Sequence, residues 1–142
     1  MGNVSGLAQA EPQSARKTVL VLDDEDSVRR LVTAVLESAG YVVLPAAQGS
    51  VALDIARSHP DAIDLLITDM TMPEMDGREA ADAIRALRPQ CRVLFMSGYP
   101  LQVALPNGIQ ATDGFIQKPF VPRMLVQRVR EVLDRNTTEN RR

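Results

Sequence analysis

Residues 65–77 read LLITDMTMPEMDG: an apolar run, Leu65 to Ile67, then Thr68 and Asp69, then a loop containing methionine, proline and glycine. The same arrangement recurs three times. Val19 to Leu22 leads into Asp23 and Asp24, Val93 to Met96 into Ser97, and Gly114 to Ile116 into Lys118. Short, continuous apolar runs of this kind suit strands buried on both faces of a parallel sheet. Open parallel sheets carry their chemistry just beyond the carboxyl ends of the strands. The polar residues at the four ends are therefore expected to converge on one site.

Between these runs lie amphipathic stretches, so strand and helix alternate. The clearest predicted helix has Asp26 and Ser27 as N-cap candidates, apolar residues at Val28, Leu31, Val32, Val35, Leu36 and Ala39, and a stop at Gly40. A second strand, Val42 to Leu44, precedes a helix with Val51, Ala52, Ile55 and Ala56 on one face, closed by His59 and Pro60. A third helix follows Gly77, carrying Ala80, Ile84 and Leu87, and the last spans about Val121 to Asp134, with Leu125, Val129, Val132 and Leu133 as its stripe and Pro122 in its first turn. Pro100, Pro106 and Gly108 break the segment from Gly98 to Thr112, so a fourth helix there is expected to be short, frayed or mobile. These elements predict an α/β fold: a doubly wound, five-stranded parallel sheet of (βα)5, flavodoxin-like type with strand order 2-1-3-4-5. That order puts strand 2, which ends in Pro45 and Ala46 with nothing polar, at an edge.

Within the 142 residues, 45% hydrophobic, a domain of one core is expected over 17–135, between a flexible segment at 1–16 and a polar tail at 136–142. Net charge is -2 with both signs interspersed, which leaves no footprint for direct contact with nucleic acid or an anionic membrane. No run is long enough for membrane insertion, and the first residues lack the apolar core of a signal peptide, so a cytoplasmic location is expected. Cys91, the one cysteine, reads as a buried structural residue.

Carboxylates within about 4 Å of each other repel by roughly 4 kcal/mol per pair at an effective dielectric near 20, so a cation must offset Asp23, Asp24 and Asp69. Hard oxygen ligands of this type suit Mg²⁺ at phosphate-handling sites, with Mn²⁺ as the alternative ion. Lys118 adds a second positive charge. Such a set can neutralise a phosphoryl group while an Asp oxygen attacks in line, with Ser97 donating a hydrogen bond to a remaining oxygen.

VLVLDDED, LLITDMTMPEMDG, VLFMSGY and FIQKPF resemble the four signatures of the response-regulator receiver domain of two-component signalling, over about residues 17 to 135. The resemblance implies Asp69 as phosphoacceptor, metal binding by Asp23, Asp24, Asp69 and the backbone carbonyl of Thr71, Ser97 as the switch hydroxyl, and Lys118 as the phosphoryl contact. It implies Phe115 as the aromatic switch and a cis bond between Lys118 and Pro119. Thr71 and Tyr99 would flank the path of the hydrolytic water. Ser97 stands where threonine is more frequent, Gly98 where alanine is usual and Phe115 where tyrosine is often found; the last removes a phenolic hydrogen bond. The implied partners are a histidine kinase or histidine phosphotransfer protein, and a downstream protein target on the face from Gly98 to Phe120. The chain would catalyse its own phosphorylation and dephosphorylation without independent turnover.

No residues are left for an output domain, so a stand-alone regulator and a receiver of a hybrid histidine kinase are both consistent with the sequence. An Asp-nucleophile phosphatase or phosphotransferase would use the same Asp, Mg²⁺ and Lys, but Thr71 stands where its acid-base Asp is expected, and no substrate-specifying cap is present. A third alternative is an unphosphorylated interaction scaffold. Among other polar residues, Asp26 reads as a helix cap, Glu25 as solvated, His59 as a surface residue, and the Asn136 to Thr138 glycosylation pattern as chance.

Overall fold

The computed structural model describes residues 16–104 and 113–139. Five strands and five helices alternate along the chain: β1 (Thr18–Leu22), α1 (Asp26–Ser38), β2 (Val42–Ala46), α2 (Gly49–Ser58), β3 (Leu65–Asp69), α3 (Gly77–Leu87), β4 (Arg92–Ser97), α4 (Leu101–Ala104), β5 (Gly114–Gln117) and α5 (Pro122–Glu139). All pairings are parallel, in the order β2-β1-β3-β4-β5. This is the doubly wound arrangement that the apolar runs predict.

Alternation along each strand divides the core in two. Leu20, Leu22, Leu66, Val93 and Phe95 pack with Ala52 and Ala56 of α2 and Ala80, Ala81 and Ile84 of α3. Val19, Val21, Leu65, Ile67, Leu94, Met96 and Ile116 turn to the other face, against Val32 and Leu36 of α1 and Leu125, Val129 and Val132 of α5. The central strands are therefore buried on both sides, which is why they read as continuous apolar runs rather than alternating ones.

Two details differ from the sequence reading. The N-cap of α1 is Glu25, with extended backbone and no side-chain cap bond; Asp26 lies within the first turn, where its carboxylate is paired with Arg29. His59 is half-buried at the end of α2, and its carbonyl accepts a hydrogen bond from Arg88. Arg88 also donates to the carbonyls of Ala56 and Asp61, so one guanidinium satisfies the end of α2 and the turn after it. The last helix continues beyond Asp134 to Glu139. Helix α4 has four residues in the segment expected to be short; Leu105 to Thr112 lie outside the described residues, as do 1–15 and 140–142 of the terminal segments and the side chains of Asn136 and Thr138.

Candidate functional site

At the end of β1 the chain turns directly into α1, and Asp23 is fully buried in that turn. Its Oδ1 accepts the Glu25 amide at 2.8 Å, and its main-chain carbonyl accepts from Arg29 Nη1 at 2.8 Å. Arg29 thus ties the turn to the first turn of α1. Asp24, next in the chain, is exposed. Leu22 pairs with Thr68 across β1 and β3, so the following residues, Asp23 and Asp69, emerge side by side. Each of Asp23, Asp24 and Asp69 offers a carboxylate oxygen within 4.8 Å of the others.

β5 supplies the opposing charge. Lys118 Nζ lies 2.8 Å from Asp69 Oδ1 and 3.4 Å from Asp23 Oδ2. Its amide donates to the Ser97 carbonyl at 2.7 Å, which fixes the start of the Lys118 turn to the end of β4. The Lys118–Pro119 peptide is cis, as the resemblance implies. Ser97 is buried, and its Oγ accepts the Tyr99 amide at 2.9 Å.

Burial is the largest influence on Asp23 and pushes its carboxyl above the usual range; the neighbouring Asp69 adds to this, while the Glu25 amide and Lys118 oppose it. Burial would pull the Lys118 ammonium down, yet the hydrogen bond to Asp69 and the charge of Asp23 outweigh it and leave Lys118 above the ordinary lysine range. Three carboxylates against one ammonium leave negative charge in excess. A hard divalent cation fits that donor set.

The loop from Met70 to Asp76 closes the site. Met70 and Met72 are buried on either side of exposed Thr71, and the Met70 amide donates to the Met96 carbonyl at 2.9 Å. The loop returns on itself through Gly77 N to Met70 O at 2.8 Å. A Cβ on Gly77 would stand 2.3 Å from the Asp69 carbonyl oxygen, so only glycine allows α3 to begin this close to the end of β3. Asp76 then caps α3: its Oδ1 accepts the Glu79 amide at 2.8 Å, and Glu79 Oε1 accepts the Asp76 amide at 3.1 Å. This reciprocal box was readable as an Asp three residues before a Glu.

Direct contacts thus unite Asp23, Asp69 and Lys118, with Asp24 within 4.8 Å of the other two carboxylates and Ser97 joined through the Lys118 backbone. Phe115, half-buried on β5, packs against the core face formed with α2 and α3. Its carbonyl accepts from Arg128 Nη1 at 2.8 Å. Tyr99 is 60% exposed, so its ring is not part of the core. Arg128 and Glu74 make long-range contacts that no local pattern announces.

An acidic cluster with a paired lysine at the carboxyl ends of a five-stranded parallel sheet defines the class. Residues 19–130 match the model of the response regulator receiver domain, and the chain belongs to that family. It is 36% identical to the sensor kinase CckA of Brucella abortus (strain 2308) over 128 residues, 89% of this chain but 14% of that protein. It is 32% identical to the response regulator receiver protein CpdR of the same organism, over 82% of this chain and 97% of that protein. The crystal structure of the receiver domain from the hybrid histidine kinase CckA superposes with a TM-score of 0.71 at 35% identity, covering 82% of this chain and 98% of that one. A CheY-like receiver protein from Methanospirillum hungatei JF-1 gives 0.74 at 27% identity, covering 87% and 98%. The chain is a receiver domain of two-component signalling. No helix among the described residues is long and apolar enough to cross a membrane.

Proposed function

We propose that Asp69 is the phosphoacceptor, and that a histidine kinase or histidine phosphotransfer protein supplies the phosphoryl group. The single observation that carries this reading is the contact of Lys118 Nζ with Asp69 Oδ1 beside the Asp23 and Asp24 carboxylates. An Asp69 oxygen forms the new P–O bond as the P–N bond to the donor imidazole breaks, and the imidazole leaves with the bonding pair. Lys118 then shifts from pairing with a carboxylate to pairing with a phosphoryl oxygen. Asp23, Asp24, Asp69 and the Thr71 carbonyl would hold Mg²⁺, which supplies charge neutralisation at the phosphoryl oxygens when bound.

Ser97 and Phe115 carry the response in this reading. The Ser97 hydroxyl already accepts the Tyr99 amide, so its proton is free to be donated to a phosphoryl oxygen. The downstream partner then meets the face from Gly98 to Phe120. Intact-mass spectrometry after incubation with Mg²⁺ and a small phosphoramidate tests the acceptor. A single phosphoryl adduct is expected on the parent chain and none on Asp69→Ala. An adduct that persists in Asp69→Ala, or no adduct on the parent, overturns the assignment.

A further inference from the structure

The loop that carries Thr71 is held from outside by one side chain with no role in the site as described so far. Glu74 Oε1 accepts the backbone amide of Gly49 at 2.7 Å, across a separation of 25 residues. Gly49 opens α2, and its amide belongs to the first turn of that helix, where N–H groups lack intrahelical partners and the helix dipole favours negative charge. The Gln48 N-cap makes no side-chain cap bond, so Glu74 performs from another part of the chain what a cap residue performs locally.

Met75 reinforces the same junction. A Cβ on Gly49 would lie 2.8 Å from Met75 Sδ, so the methionine occupies the space that glycine leaves, and Gly49 is itself buried. Glu74 and Asp24 line one groove of about 230 Å³ together with Ala47, Gln48, Met72 and Pro73. The loop is thus anchored on its β4 side by the Met70 amide and on its α2 side by Glu74 and Met75. Thr71 lies between the two anchors.

We propose that Glu74 is a positioning residue for the metal site. By fastening Pro73 to Met75 onto the amino end of α2, it holds the Thr71 carbonyl at the depth set by Asp23, Asp24 and Asp69. The bond also keeps a fourth carboxylate engaged with an amide, away from the three that already repel one another. This inference rests on the metal site proposed above. Glu74 touches neither the phosphoryl group nor the cation, and acts through the loop backbone.

The test is the Mg²⁺ affinity of the parent, Glu74→Gln and Glu74→Ala, read by amide shifts of residues 69–72 in titrations with MgCl₂. Gln keeps an oxygen acceptor for the Gly49 amide, whereas Ala removes it. Glu74→Ala is expected to weaken Mg²⁺ binding about tenfold, the scale seen when a group that orients a metal ligand is lost. Glu74→Gln should stay within about twofold of the parent by the same reasoning. Hydrogen exchange at Gly49 should accelerate in Glu74→Ala alone, and thermal unfolding of each variant checks that the fold is intact. Equal affinity in Glu74→Ala and the parent overturns the proposal, as does a loss in Glu74→Gln as large as that in Glu74→Ala, because charge rather than anchoring would then be responsible. No Mg²⁺ response in the parent would instead remove the metal reading on which this one depends.

Discussion

Cys91 shows how burial can dominate a side chain's chemistry. It is buried beneath the end of α3, and burial, the largest cause, pushes its thiol up to about 12 from an ordinary 9.0, with Asp64 adding to the rise. In the unfolded chain the thiol loses its proton near 9.0, while the folded chain retains it until about 12. The folded state therefore binds more protons across that window, and stability contributed by this group falls as pH rises through it. Urea unfolding followed from pH 9 to pH 11 should show a shallower decline in Cys91→Ala than in the parent. Identical slopes would mean that the thiol does not stay protonated in the fold. At pH 8, the native chain should also resist iodoacetamide that labels the urea-unfolded chain readily.

In the proposed phosphoacceptor, access of water sets the lifetime of the acyl phosphate. Thr71 and Tyr99 are both exposed, and neither is an acid or an amide that could orient water for attack. Under the phosphoacceptor reading, Thr71 orients water poorly and the Tyr99 ring covers the phosphoryl group, so slow hydrolysis is expected. Decay of phosphorylated protein after donor removal should be faster in the double variant Tyr99→Ala with Thr71→Asn than in the parent. Equal rates would leave lifetime to the metal site alone.

At the scale of elements, α3 rests on a local device that can be weighed. Removing one side of the Asp76 and Glu79 box leaves the Glu79 amide without its acceptor, so Asp76→Ala should cost about 1 kcal/mol in urea unfolding, while Asp76→Asn retains most of the stability. If Ala and Asn fell equally, the carboxylate would be acting through charge at the helix end rather than as an acceptor. The strands and their order were legible because each central strand is apolar on both faces and ends in a polar residue. The cap of α1 was harder to read: Glu25, Asp26 and Ser27 are consecutive polar residues that cap preferences separate poorly, and Asp26, paired with Arg29 three residues on, falls one place inside the helix. Long-range anchors were not legible at all. Glu74 at Gly49, Arg88 at three carbonyls, and Arg128 at the Phe115 carbonyl each depend on which elements the fold makes adjacent.

Across the whole molecule, the acidic site and the proposed partner face meet at the ends of β4 and β5. Ser97 ends β4, Lys118 follows β5, and a 2.7 Å bond from the Lys118 amide to the Ser97 carbonyl links them. The surface beyond them exposes Tyr99, Leu101, Val103, Val121 and Met124, apolar area that a protein partner would cover; Leu105, expected to extend it, lies outside the described residues. β5 is an edge strand; the carbonyl of Phe115 within it accepts from Arg128 of α5, and that of Asp113 just before it accepts from Arg135. These two arginines cover part of the strand edge. Phosphorylation can favour one conformation only through contacts that differ between the two, and in the proposed switch these are the Ser97 hydroxyl and the packing of Phe115. Adding a phosphoryl mimic with Mg²⁺ should shift amide signals at Tyr99, Leu101 and Phe115 as well as at Asp69. Ser97→Ala should keep the Asp69 shifts and lose the distant ones. Shifts confined to the acidic site in the parent would show that occupancy is not transmitted, and the face from Gly98 to Phe120 would then lose its role as the surface that reads phosphorylation.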